Sequence, residues 1–442
     1  MKSNPLANGF TLVETLVALA IALLFIFAIY GLLSSTLKIV GDDRSRSVAL
    51  GIARKKLEQI KNLPYDSVGT VGGVPSGTIE PTETEALNNV DYTVTTSIQY
   101  VDDPYDELAP TDLLNTDYKT VHITVEWNQA DITGPVELTT KLVPTTLERD
   151  SGGGTIWIEV FDASTNPTTP VNNADVSIIA PSLGIDTTGK TDADGRFILP
   201  GVPPGIEAYH IVVTKPAYSS DQTYDRDPIT NPNPDPPHLN VVAGEITEEY
   251  FEISQKVNLL GIQLRQYNSE DHLILPFRLH GEKLKGTDTS GLPIYQYDEM
   301  ITPNDGGNAE LNYIPTDIYT IIFEEAELGY VLAGSSARLP LAALPQSSNN
   351  ISLWLDTYSA TTALITVINS AGDIIPDATV HLEQATTFDQ TLTTDSYGQV
   401  FFNPIVAGTL NLTITATGYT TYSGTFTVNG NEQQTFTLST AS

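Results

Sequence analysis

Residues Met1 to Gly9 form a short polar leader, and the segment behind it limits the fold more than any other part of the chain. From Phe10 to Leu37 a single residue is formally charged, Glu14. About 20 apolar residues are enough to cross a bilayer as a helix, and a helix that is apolar all round belongs in a membrane or a protein core. A carboxylate near the end of such a segment is costly and is kept where it has a role. Two ordinary explanations fit less well. A signal anchor leaves the combination of Gly9-Phe10 with Glu14 unexplained. A secretory signal peptide is cut after its apolar core at small residues, and Ala28-Ile29-Tyr30-Gly31 makes a poor site of that kind.

The run Gly9-Phe10-Thr11-Leu12-Val13-Glu14 resembles the class III prepilin signal of type IV pilins and of the pseudopilins of type II secretion. The resemblance implies cleavage after Gly9 by a prepilin peptidase, N-methylation of Phe10, and assembly with other pilin subunits through the helix. It also implies a role for Glu14 in assembly, paired with the new N-terminal amine of a neighbouring subunit. A buried charge needs such a partner. The precursor would sit in the cytoplasmic membrane, with Lys2 and the amino terminus inside, and the mature chain on an extracellular filament at the cell surface.

The helix should run from Phe10 to about Asn62, because the residue before a proline disfavours helix and Leu63-Pro64 follows. Its second half is amphipathic: Ala49, Ile52, Ala53, Leu57 and Ile60 share one stripe, expected to pack on the first globular module. Gly31 and Gly41 are places where it would loosen.

The net charge of −33 is unevenly placed. Up to Lys61 there are eight Lys/Arg against four Asp/Glu, and beyond it thirteen against fifty. Such an acidic body repels phosphate backbones, which excludes nucleic acid as a partner. The chain has no cysteine, so disulfides cannot stabilise it.

After the helix the composition turns to Thr, Val, Ile, Tyr and Gly, as strands prefer. Strands are expected at Tyr92–Tyr100, Lys119–Trp127 and Val136–Leu142. The segments around Leu63-Pro64-Tyr65-Asp66 and Asp117-Tyr118-Lys119 resemble the head of a minor pilin or pseudopilin. Between the first two strands, Asp102, Asp103, Asp106 and Asp112 offer hard oxygen ligands suited to Ca²⁺. The plainer reading is a solvated acidic loop, since Asp and Pro are common turn formers. No other cofactor is expected.

Past Gly153 a unit repeats. Thr191-Asp192-Ala193-Asp194-Gly195 and Thr394-Asp395-Ser396-Tyr397-Gly398 are each followed at fixed distance by Gly205 or Gly408 and then an alternating strand. A degraded copy has Gly306-Gly307 and Asp317, with Gly291-Leu292-Pro293-Ile294 read as its upstream strand region. Asp192-x-Asp194-Gly195 reads as a turn rather than half a calcium loop, and Asp227 to Pro237 as an extended excursion or linker. The pattern resembles the carboxypeptidase regulatory-like, transthyretin-like sandwich, an accessory module.

The six histidines are scattered, and no HExxH, Gly-x-Ser-x-Gly elbow or phosphate loop occurs, so an enzyme is not expected. The fold class is therefore α+β: a long hydrophobic helix with a pilin-type β head, then three tandem all-β sandwiches. The divisions are 1–9 leader, 10–62 helix, 63–150 head, and sandwiches at 154–255, 256–358 and 361–442. The function expected is a structural filament subunit, minor or at the tip. The alternatives are a secretion pseudopilin, or an adhesin gripping a surface glycan or protein. Tyr358, Tyr397, Tyr419 and Tyr422 would serve an adhesin if they formed an exposed cluster.

Overall fold

The computed structural model describes residues 12–103, 105, 111, 116–128, 134–144 and 152–441. It opens on one continuous helix, Leu12–Lys61, about 75 Å long at 1.5 Å per residue. Gly31 and Gly41 lie within it without interrupting it. The helix stops where expected. Pro64 has no N–H to extend the ladder, and a single 3₁₀ turn, Tyr65–Ser67, follows.

The head is an antiparallel meander of Thr82–Leu87, Val90–Val101, Tyr118–Trp127 and Val136–Leu142. Three of these carry the alternation that marks a half-buried strand. Thr82–Leu87 reads T-E-T-E-A-L and buries none of its residues fully, which is why no periodic signal announces it. Its pairing is carried by the Val90–Val101 backbone.

One plan then recurs three times. In each sandwich an opening strand lies between an antiparallel neighbour and a parallel closing strand. The opening strands are Gly154–Asp162, Leu259–Gln266 and Thr362–Asn369. Their closing partners are Ile246–Ile253, Ser348–Thr357 and Asn431–Leu438. A second sheet packs over each, and every sandwich has its own cluster of buried Ile, Val, Leu and Phe.

The repeated glycine has a physical reason. Gly195, Gly307 and Gly398 all have φ near +70°, at 75°, 72° and 68°. Each carbonyl accepts an N–H from the opening strand, from Val160, Leu264 and Val367, at 2.8 Å. A Cβ there would lie 2.6 to 2.9 Å from the carbonyl oxygen of that same strand residue. Asp192, Asn304 and Asp395 each accept two backbone N–H groups within the turn. The carboxylate of Asp192 is thus engaged by its own turn.

The second copy corrects one expectation. Its counterpart of Asp175–Ala180 and Thr379–Gln384 is Phe277–His280, which pairs with Asp317–Ile322 as they pair with Gly205–Thr214 and Gly408–Thr415. Gly291 to Ile294 belong instead to an inserted hairpin, Leu284–Thr287 with Pro293–Tyr295. The excursion in the first sandwich is also more than a linker. Its Asn233–Pro234 pairs with that hairpin, making a three-stranded sheet across two modules.

Candidate functional site: the apolar helix and its anchorage

At Leu16, Val17 and Leu19 and then from Ile21 to Val40 the helix presents its apolar side chains outward, with Leu24, Phe27 and Leu32 each 70% or more exposed. Ile21–Lys61 is long and apolar enough to cross a membrane by length and composition, reaching a mean hydropathy of 2.0. Between Glu14 and Lys38 the sequence holds no charge. That interval spans about 36 Å of helix, slightly more than a hydrocarbon core of about 30 Å. Apolar surface of this extent is unstable in water and calls for lipid or other helices around it.

The exposure ends abruptly at Asp42, which is fully buried. Its Oδ1 accepts the indole N–H of Trp127 at 3.0 Å, joining the helix to the third strand of the head. Below this latch Ala49, Ile52, Ala53 and Ile60 pack against Val94, Ile98, Val121, Ile123 and Val125. Burying an Ile or Val contributes about 1.5–3 kcal/mol each, so this stripe supplies most of the anchorage. Lys55–Glu85 at 2.9 Å and Lys56–Glu83 at 2.6 Å tie the helix to the first strand. These pairs are partly exposed and worth under about 1 kcal/mol.

A buried cation sits where the head meets the loop behind the helix. Lys119 is 1% exposed, and its Nζ donates to the carbonyls of Tyr65 and Val68, both at 2.8 Å. It also lies 4.5 Å from the Tyr65 ring centre and 5.2 Å from that of Tyr100. Burial lowers its pKa to about 8, against the opposing charge of Asp66. Burial likewise pushes the Tyr65 hydroxyl up. Tyr100 continues outward onto Gly201 of the first sandwich, Val74 enters that sandwich's core, and the Asp186 N–H donates to Gly72 at 2.7 Å.

Of the residues singled out for processing and assembly, Gly9 and Phe10 lie outside the described residues. Glu14 falls within the helix Leu12–Lys61, with its side chain outside the described part. Of the acidic loop, Asp102 and Asp103 are described, while Asp106 and Asp112 lie outside. Asp103 is tied into its own loop, donating its N–H to Asp117 Oδ2 at 2.6 Å and accepting the Tyr105 N–H at 3.0 Å. Among the described residues no group of three or more His, Asp or Glu is placed to hold a metal ion. Tyr397 lies against Trp354 with ring centres 5.3 Å apart and planes tilted by 40°, and Tyr419 and Tyr422 pack against the third core, which leaves Tyr358 exposed without these three as an exposed cluster around it.

The apolar segment, its single acid and the unbroken helix meet in one observation. Residues 5–30 carry a prokaryotic N-terminal methylation motif. Residues 364–439, within the third sandwich, match the carboxypeptidase regulatory-like domain. No curated protein is similar to this chain. Among solved structures, the Bacillus anthracis TIE protein overlaps 82% of the chain at 14% identity and a TM-score of 0.19. The chain covers 61% of that protein's length. The shaft pilin SpaA from Lactobacillus rhamnosus GG overlaps 47% of the chain and 98–100% of its own, at 14% identity and TM-scores of 0.18 to 0.19. A Streptococcal ancillary pilin overlaps 65% of the chain and 99% of its own, at 10% identity and a TM-score of 0.18. Overlaps this loose fix no role.

Two residues that matter here escaped the sequence reading. Asp42 and Ser45 fall in phase with Ala49, Ile52 and Ala53, so an acid on the buried stripe was a visible signal that a partner awaited it. Lys119 had no such signal. It opens an alternating strand as an ordinary polar residue, and only the loop from Leu63 to Val74 folding over it creates the burial.

Proposed function

We propose that this chain is a structural, non-catalytic subunit of a type IV pilus-like filament, inserted through Leu12–Lys61 and carrying its head and sandwiches outside. The observation that carries the reading is the methylation motif continuing into an apolar helix that stays exposed until Asp42. On this reading the prepilin peptidase cleaves after Gly9, Phe10 becomes the methylated N-terminus, and Glu14 pairs with a neighbour's amine within the helical core. The precursor is held in the cytoplasmic membrane and the mature chain is displayed at the surface. A head and three sandwiches on one helix would crowd a regular shaft, which favours a minor or tip position.

The test is N-terminal mass spectrometry of protein sheared from cells, comparing wild type, Gly9→Ala and Glu14→Ala. The expected result is a mature chain beginning at methylated Phe10, its loss in Gly9→Ala, and a Glu14→Ala chain that is processed but missing from the sheared fraction. An intact Met1, or a cut near residue 30, overturns the proposal.

A further inference from the structure

In each sandwich the closing strand lies parallel beside the opening strand, and its far side is either an edge or the place for one more strand. An edge is a row of unpaired N–H and C=O groups that templates another strand unless something blunts it. The three copies treat this edge differently. In the first, Ile246–Ile253 carries Glu248, Glu249 and Glu252, and the Glu252 N–H donates to Asp221 Oδ2 at 3.0 Å. In the second, Tyr330–Ser335 covers the edge, pairing antiparallel with Ser348–Thr357. The third has neither device. Asn431–Leu438 reads N-E-Q-Q-T-F-T-L, and among the described residues only Thr362–Asn369 pairs with it as a strand. Its one charge, Glu432, is folded back to accept the Asn429 N–H at 3.1 Å. Gln433, Gln434 and Thr435 are exposed.

A cleft of about 330 Å³ opens over the outer face of this sheet, floored by Leu364, Thr366 and the edge residues Gln433–Thr435 and walled by the Ser335–Leu339 segment of the second sandwich, and Arg338 lines it. Arg338 is the single Lys or Arg in residues 286–442, against sixteen Asp and Glu. It makes no ion pair with another described residue. An isolated guanidinium in acidic surroundings is matched to one carboxylate. A run of acids would be repelled by the rest of the surface.

We propose that the free edge of Asn431–Leu438 receives an extended segment of a partner protein as an added antiparallel strand, with one carboxylate of that segment paired to Arg338. Strand addition of this kind takes affinity from main-chain hydrogen bonds and selectivity from side-chain contacts beside them. The second sandwich supplies the pattern, since its own chain already fills the equivalent edge in that manner.

The test uses the full chain in detergent micelles and a synthetic peptide of residues 329–336, the covering strand of the second sandwich. The peptide is made with Leu332→Glu, with Leu332→Gln, and in the Glu form with its alternate amides N-methylated. The Glu peptide is expected to slow amide exchange across residues 431–438 and to bind about tenfold tighter than the Gln peptide. That preference should vanish in Arg338→Gln while binding itself persists, and the N-methylated peptide should not bind. Equal binding by the N-methylated peptide, or no slowing across residues 431–438 with any peptide, overturns the proposal. So does sedimentation showing that this edge is instead occupied by a second copy of the chain.

Discussion

The two joints between the three sandwiches are built on different physics. The first and second sandwiches keep separate cores and are joined by backbone. Asn233–Pro234 adds to the inserted hairpin, and Asn231 Nδ2 donates to the Lys285 carbonyl at 2.9 Å. Between the second and third the core itself is shared. Leu364 and Phe401 belong to the third sandwich by sequence but are buried among the residues of the second, with the Phe401 ring edge-on to Tyr267 at 5.5 Å. Gln399 then accepts the Ser335 N–H at 2.8 Å beside that contact. A hydrogen-bonded joint fixes direction but adds only about 0.5–1.5 kcal/mol per bond. A shared core adds about 25 cal/mol for each Å² of apolar surface removed from water and gives way only with the modules themselves. The first joint is therefore a latch, and the second a fusion.

Removing the Phe401 ring should break the comparison most severely. Phe401→Ala is expected to cost about 3–5 kcal/mol and to split a joint unfolding transition of the second and third sandwiches into two, read by denaturant titration. One unchanged transition would mean the shared core does not couple them. Gly286→Ala acts on the other joint. Gly286 has φ +149°, and a Cβ there would meet Asn231 Oδ1 at 2.1 Å and the Asn233 carbonyl at 2.5 Å. The strain is expected to cost about 1–3 kcal/mol and to speed amide exchange in residues 227–237 without moving that of residues 399–403. Equal acceleration in both would show that the joints are not independent.

Acid should give the smallest effect and the sharpest contrast. His238 closes the excursion just before Leu239–Val241. Burial holds it below the usual imidazole range, opposed by Asp225 at 3.4 Å, while the nearby His210, its ring stacked at 4.8 Å, adds to the lowering and Glu207 opposes it. The unfolded strap therefore binds a proton more readily than the folded one. Its stability is full above a pH of about 6.5 and falls as pH drops below that. Exchange in residues 227–237, corrected for intrinsic rate, should rise between pH 7 and 5 while residues 399–403 stay protected. No change in the first segment would remove His238 from the latch.

How much of this was legible beforehand follows from the range of the interactions. The helix end, the stripe from Ala49 to Ile60, the alternating head strands and the turn glycines are local patterns, and they stood in the sequence. The latch reads in the sequence as an extended excursion or linker because Asn233-Pro234-Asp235-Pro236 has no strand periodicity, and its partner lies some fifty residues away. The hairpin it joins was mistaken for part of the repeat, since Pro293-Ile294 mimics the strand it interrupts. Nothing in the sequence around Phe401 distinguishes it from a core residue of its own module. Alternation identifies which residues turn away from one core, but not that a neighbouring core will accept them. In the N-terminal helix, Glu14 announced itself by being alone, whereas Asp42 needed Trp127, 85 residues further on, to give it meaning.

The parallel pairing of opening and closing strands has a mechanical consequence. In the first sandwich the chain enters at Gly154 and leaves at Ile253, with Thr155 opposite Ile246 and Asp162 opposite Ile253. The same geometry holds in the other two. Tension applied through the two ends of such a module slides these neighbours along each other. It loads the evenly spaced rungs of the ladder together instead of peeling them one at a time. Three such modules in series would carry a pulling force in shear.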